Sequence, residues 1–161
     1  ANNVWAVVGA DQLSGYLGET PNFSLFRLLN NGMRGGANAT YSYRDIRMMN
    51  LAKPGQTVAE YADALSGHAY NVLMILPELP EVHAAGYAHS ADKVAAYKAN
   101  LLALIENNAG KSIVLWTPLA SPDATINGYI NDYAAAVREI AQKYACQHRF
   151  AVNVKCTSFR G

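Results

Sequence analysis

Charge is scarce in this chain. Only 16% of its 161 residues are Asp, Glu, Lys or Arg, and 13 basic against 12 acidic side chains leave a formal net charge of +1. Such a balance supplies no basic stripe for nucleic acid and no polybasic patch for an anionic membrane surface. No apolar run approaches the roughly 18 residues that a membrane-spanning helix needs. Cysteine is nearly absent. Cys146 and Cys156 stand ten residues apart, too few for a disulfide framework, and they read either as free, half-buried thiols or as a pair that a strand brings together. Gly9, Gly15 and Gly18 lack the G-x-G-x-x-G spacing of a dinucleotide loop, which argues against a nucleotide-binding flavodoxin-like role. Internal repeats and low-complexity segments are missing too. No charged or apolar leader stands among the first residues given, and the compartment stays open. Asn22-Phe23-Ser24 and Asn38-Ala39-Thr40 match the glycosylation triplet, a short and common pattern.

What is present is hydrophobic: 51% of the residues, enough to fill the core of one domain spanning 1–161. The apolar run Val4-Trp5-Ala6-Val7-Val8 shows no clean alternation, as suits a strand buried on both faces of a parallel sheet. It ends in a turn, residues 10–16, that carries an acid, an amide and a hydroxyl. Thr20-Pro21 then marks a helix start, with Phe23, Phe26 and Leu29 on its apolar face and Gly32 as its stop; residues 33–43 read as a surface loop. Asp45 to Ala52 predicts a second strand. Thr57 and Glu60 have capping-box spacing and open a helix with Val58, Tyr61, Ala62 and Leu65 inward, closed at Ser66-Gly67.

Tyr70 to Leu76 predicts the third strand, stopped by the prolines of Pro77-Glu78-Leu79-Pro80-Glu81. A loop with His83, Gly86 and His89 leads to Ser90 as cap of a long helix, with Val94, Tyr97, Leu101, Leu104 and Ile105 at helical spacing. Ser112 to Trp116 is the fourth strand. After Ser121-Pro122-Asp123, another helix turns Ile126, Ile130, Tyr133, Val137, Ile140 and Tyr144 inward, and Phe150 to Val154 is the fifth strand. Regular alternation of strand and helix predicts a three-layer α/β/α sandwich with a five-stranded parallel sheet in the flavodoxin-like order 2-1-3-4-5. Four helices serve five strands, so the face near strands one and five is expected to be covered by a second copy or a flanking domain.

In such a fold the loops at the carboxyl ends of the strands form the ligand crevice. Asp11 and Glu78 belong there, either as an acid/base pair or cation site, or with Asp11 bracing the turn and Glu78 solvated. Ser14 is a candidate nucleophile with His83 or His89 as base, or a backbone cap. The two histidines lack a third ligand at a metal spacing, so no metal and no cofactor is expected. Gly55 offers an amide donor to the crevice, or simply suits the turn into the helix at Thr57. Gln12 and Thr117 complete the candidate ligand-binding set of Asp11, Gln12, Ser14, Gly55, Glu78 and Thr117. The ten tyrosines offer stacking surfaces for sugars, although Tyr97, Tyr133 and Tyr144 sit at core spacing.

The order of these blocks resembles the SGNH, or GDSL-type, hydrolases over almost the whole chain. Ala10-Asp11-Gln12-Leu13-Ser14-Gly15-Tyr16 is similar to that family's Gly-Asp-Ser-Leu opening, and Asn50-Leu51-Ala52-Lys53-Pro54-Gly55-Gln56-Thr57 to its second block. The resemblance implies that Gln12 stands at the position of the nucleophilic serine, that Gly55 supplies an oxyanion-hole amide, and that Pro77-Glu78-Leu79-Pro80-Glu81 replaces a Gly-x-Asn-Asp block. No Asp-x-x-His pair follows the last strand. A carboxamide cannot attack an ester. The expectation is therefore a non-catalytic member, binding a glycan or serving assembly within a larger extracellular, surface or phage-tail-type protein. The alternative is an active esterase or deacetylase of acetylated glycans, with a relocated nucleophile drawn from Ser14, Asp11, His83 and His89.

Overall fold

Four apolar runs lie side by side and parallel in a single sheet of order β2-β1-β3-β4. The computed structural model describes residues 3–14 and 46–148. Its elements are β1 (Asn3–Val8), α1 (Asp11–Ser14), β2 (Ile46–Asn50), a 3-10 turn (Val58–Glu60) running into α2 (Tyr61–Leu65), β3 (Val72–Ile75), a second 3-10 turn (Pro80–His83), α3 (Ala91–Glu106), β4 (Ser112–Leu115) and α4 (Ala124–His148). The helix expected from Thr20-Pro21, the loop 33–43, the strand Phe150 to Val154, Cys156 and both glycosylation triplets lie outside the described residues.

The central strand is β1, hydrogen-bonded to β2 on one side and β3 on the other, with Ala6 opposite both Met49 and Leu73. From Ala6 to Val8 its residues are buried whichever face they point to. Ala6 and Val8 join Leu73 and Ile75 under Tyr61, Leu101, Ile130 and Val137, so α2, α3 and α4 all pack against one face. Val7, Leu13, Met74 and Leu76 form a second cluster on the opposite face, flanked by Trp5, Met48 and Trp116. A strand packed on both faces has no polar side to show, which explains the unbroken apolar run.

Several boundaries differ from the sequence expectation: β1 begins at Asn3 rather than Val4, β3 covers Val72–Ile75 rather than Tyr70 to Leu76, and β4 ends at Leu115 rather than Trp116. β2 begins at Ile46 rather than Asp45 and ends at Asn50 rather than Ala52. The Asn50 side chain ends it: its Oδ1 accepts from the Ala52 amide at 3.2 Å and its Nδ2 donates to the Leu13 carbonyl at 3.0 Å. In the helix after Thr57, Ala62 is exposed and Ala64 is buried in its place. That helix opens as a 3-10 turn, and from Tyr61 the core-facing positions are those three and four residues on.

The caps expected at Thr57 and Ser90 form, and Asp123, expected only as part of the loop before the last helix, supplies a further one. The Thr57 amide and hydroxyl both donate to the Glu60 carboxylate, each at 2.8 Å, and Gly67 closes α2 at a φ of 76°. Ser90 Oγ accepts from the Lys93 amide at 3.3 Å to start α3. Asp123 Oδ1 accepts from the Ile126 amide at 2.9 Å to start α4. Each satisfies an amide that the first helical turn would otherwise leave without a partner.

Leu101 is fully buried at the centre of the larger cluster, so Leu101→Ala should cost about 2–5 kcal/mol in urea unfolding. The hydrogen bonds from Thr57 hold the Glu60 carboxyl below its ordinary value of 4.5. A carboxyl depressed in the folded state stabilises above its unfolded pKa and loses that contribution as pH falls through the folded one. The stability gap between the parent chain and Glu60→Gln should therefore be constant above about pH 5 and close in more acidic solution; a gap unchanged down to pH 3 would exclude this linkage.

Candidate functional site

Because all four strands run the same way, the turns after them meet at one edge. The turn after β1 places α1 there, the turn after β2 brings Gly55, the turn after β3 brings Glu78, and Pro118 and Leu119 follow β4. Asp11, Glu78, Leu79, Pro80, His83, Pro118, Leu119 and Ile130 enclose a small crevice of about 60 Å³. It has room for a few atoms of a ligand.

Glu78 lies within 8% of full burial. Its Oε1 accepts from the Ala10 amide at 3.0 Å and the Leu13 amide at 3.2 Å, so one oxygen ties the tip of β3 to the turn that carries α1. The solvated Glu78 expected from the sequence is not what the fold produces: the carboxylate is a brace. Gly9 makes room for it, since a Cβ there would stand 2.3 Å from Leu13 Cδ1 and 3.1 Å from Glu78 Oε1. The loop beyond β3 is clamped from behind as well. Tyr61 Oη donates to the Leu76 carbonyl at 3.0 Å and Tyr97 Oη to the Pro77 carbonyl at 3.3 Å. Burial first, and the nearby Glu78 carboxylate second, push the Tyr61 phenol far above its usual range, so it stays a donor.

Asp11 turns its Oδ1 to the Gly55 amide, which donates to it at 2.6 Å. Gly55 sits at a φ of 70°, in the left-handed region that a side chain resists, so the glycine answers to the turn and to the crevice at once. The positive φ is what the turn reading of Gly55 asks for, and the Asp11 carboxylate accepts from its amide. Ser14 Oγ donates to the Asp11 carbonyl at 2.9 Å, the back-bond expected of a serine in a short helical turn.

The histidines part company. His83, the last residue of the 3-10 turn, is exposed and lines the crevice with Asp11 and Glu78. His89 stands elsewhere, with Nε2 2.8 Å from Asp132 Oδ2 and its ring stacked on Tyr129 at 4.6 Å. The structure thus joins Asp11, Glu78 and His83 and leaves His89 with α4. Thr117 is half-buried at the tip of β4 beside the crevice-lining Pro118. Gln12 occupies the second position of α1. Among the described residues, no three His, Cys, Asp or Glu side chains gather at metal-binding distance.

Sequence reasoning missed the cluster of His89, Tyr87, Tyr129, Tyr133 and Asp132. Tyr129 and Tyr133 are four apart on one helix face, with Asp132 beside them, and that spacing was the available signal. It named Tyr133 as core but could not name what the Pro80-to-Ser90 loop would lay against it.

Comparison with solved structures places the arrangement. A GDSL-like lipase from Parabacteroides merdae superposes with a TM-score of 0.66 at 15% identity, over 89% of this chain and 74% of that one. The fold is that of the SGNH, or GDSL-type, hydrolases. A lipase/acylhydrolase from Enterococcus faecalis matches this SGNH fold with a TM-score of 0.67 at 17% identity, covering 93% of this chain and 74% of that one. An acetylxylan esterase from Geobacillus stearothermophilus gives 0.68 at 16% identity, over 89% and 73%. No family profile and no curated protein matches the chain. The likeness lies in the backbone, and the resemblance first drawn from the loop order holds at the level of the SGNH fold.

Removing the Glu78 carboxylate leaves the Ala10 and Leu13 amides without their acceptor, and each buried donor so stranded costs about 1–3 kcal/mol. Glu78→Ala should lose about 2–6 kcal/mol in urea unfolding, with Glu78→Gln losing less because its carbonyl can still accept. A Glu78→Ala chain as stable as the parent would show that the brace contributes nothing.

Proposed function

We propose that this chain is an SGNH-fold domain that binds carbohydrate without hydrolysing it, within a larger surface or phage-tail-type protein. One observation carries the reading: the Gly55 amide donates to Asp11 at 2.6 Å. In acyl transfer such an amide must be aimed at the oxygen that becomes negative in the transition state. Here a carboxylate already stands on it, so an incoming oxyanion would have to displace one negative charge and would be repelled by it. The identities at neighbouring positions agree. Gln12 offers an amide where the resemblance calls for the attacking serine, and Ser14 donates to the backbone.

What remains in the crevice suits hydroxyl groups. Asp11 accepts, and the exposed His83 imidazole can donate or accept. Acetylxylan esterase is the printed name of one structural neighbour, which supports a polysaccharide or its fragments as the ligand class. A flanking domain or second copy over the Trp5, Met48 and Trp116 face fits the assembly side of this reading.

The alternative is an active esterase of acetylated glycans with a relocated nucleophile. It draws on the esterase names of the neighbours and on His83 lining the same crevice as Asp11.

The two readings part on a simple assay. Hydrolysis of 4-nitrophenyl acetate by the purified chain should equal buffer, a fluorophosphonate should label no serine, and titration calorimetry with xylo-oligosaccharides should show binding that Asp11→Ala weakens about tenfold, the worth of one charge-assisted hydrogen bond. Turnover that disappears in Ser14→Ala would instead establish the esterase.

A further inference from the structure

The 3-10 turn Pro80–His83 has two sides. His83 and Pro80 face the crevice, while Glu81 points away from it into a separate groove of about 340 Å³. That volume lies in the usual range for small-molecule sites, roughly 300–1,000 Å³. The groove runs between the start of the second helix (Thr57 to Ala59), the exposed side of α3 (Lys93, Ala96 and Asn100) and Tyr133 of α4. Tyr87, Tyr97 and Tyr133 form its aromatic wall, the last two edge to face at 4.9 Å between ring centres.

Glu81 is the unexplained group. Its Oε2 is buried with no hydrogen-bond partner, which is costly for a carboxylate. Burial raises its carboxyl above the ordinary 4.5, while a hydrogen bond from its own backbone amide and then the nearby Lys93 pull the other way. The tyrosine hydroxyls do not relieve it: those of Tyr87 and Tyr133 bond each other, and that of Tyr97 donates to Pro77. The last torsion of a glutamate is broad, so this oxygen turns toward the groove at little cost. A donor in the groove would satisfy it.

We propose that this groove is a second ligand site, distinct from the crevice, that takes a neutral polyhydroxylated ring such as a pyranose, with a ring hydroxyl donating to Glu81. The chemistry of the walls selects that class. An anion would meet the Glu81 carboxylate. A cation would meet Lys93, whose Nζ donates to the Ala88 carbonyl at 2.7 Å and lies 4.3 Å from the centre of the Tyr87 ring. Glu60, the other acid near Glu81, is exposed and already accepts from the Thr57 amide and hydroxyl. Opposite charges therefore offset along the groove, and a neutral donor fits where either ion is repelled. Asn100 adds a side chain able to donate and accept, and the half-buried Tyr87 with the exposed Ala59 and Ala96 supply apolar surface for the carbon face of a sugar. The ligand class agrees with the carbohydrate reading of the crevice, but the groove's own residues argue it.

The test is a nuclear magnetic resonance titration of the full chain with cellobiose, xylobiose and chitobiose, with ethanolamine and inorganic phosphate as ionic controls. At least one disaccharide should shift the amides of Ala59, Ala96 and Asn100 saturably, with affinity independent of salt. Glu81→Ala should weaken it about tenfold, Glu81→Gln less, and Ala59→Trp should abolish it by filling the groove while leaving Glu81 in place. Because the buried Oε2 of Glu81 has no partner, Glu81→Ala should melt close to the parent. Asp11→Ala separates the sites: groove shifts that survive it support the groove whatever becomes of the crevice, and shifts that vanish with it overturn the groove as a distinct site. No disaccharide response at these amides, preference for ethanolamine or phosphate, or full affinity in Glu81→Ala or Ala59→Trp would each overturn the proposal.

Discussion

One oxygen of Glu78 holds the tip of β3 to the turn after β1, and the functional edge of the molecule is arranged around that contact. A carboxylate taken out of water is tolerated only where donors replace the lost hydration. Here the Ala10 and Leu13 amides do so, and Gly9 keeps the approach open. Tyr61 and Tyr97 hold the same β3 loop from the helix side through its carbonyls. The start of α1 is thus fixed by groups far away in the chain.

With α1 set in place, Asp11 reaches across to Gly55 and accepts from its amide at 2.6 Å. That contact ties the turn after β2 to the turn after β1 across 44 residues of chain. Ser14, one turn along, donates to the backbone. The parallel sheet and its packed faces need none of the reactive groups for their stability, because that stability comes from Leu101, Tyr133, Ile75 and their neighbours. The backbone likeness to its structural neighbours therefore persists at under 20% identity.

The turn Pro80–His83 is the hinge between two environments. Proline at its first position suits the tight 3-10 geometry, in which residues three apart, such as Pro80 and His83, share a side and Glu81 is turned about 120° away. His83 lands beside Asp11 and Glu81 lands beside the tyrosines of α3, α4 and the preceding loop. Beyond it, His89 leaves the crevice for Asp132 and the Tyr129 ring.

Much of the architecture was legible in one dimension. Buried parallel strands carry continuous apolar runs, helices announce themselves by Thr57 with Glu60, by Ser90 and by Asp123, and a period of three and four residues marks Tyr97, Leu101, Leu104 and Ile105 as core. These signals are local, so the sequence alone determined strand type and the order of elements along the chain, from which the topology rules for parallel α/β sheets give the order β2-β1-β3-β4 and a common edge for the loops of Asp11 and Glu78. Only the tertiary structure decided what those groups do to one another. Whether a carboxylate is solvated, braces a turn, occupies an amide or lies orphaned against tyrosines depends on partners 44 to 68 residues away. Glu78, Asp11 and Glu81 are the same chemistry in sequence, and only distance and burial in three dimensions separate a brace, an occupant of the Gly55 amide and an unsatisfied acceptor.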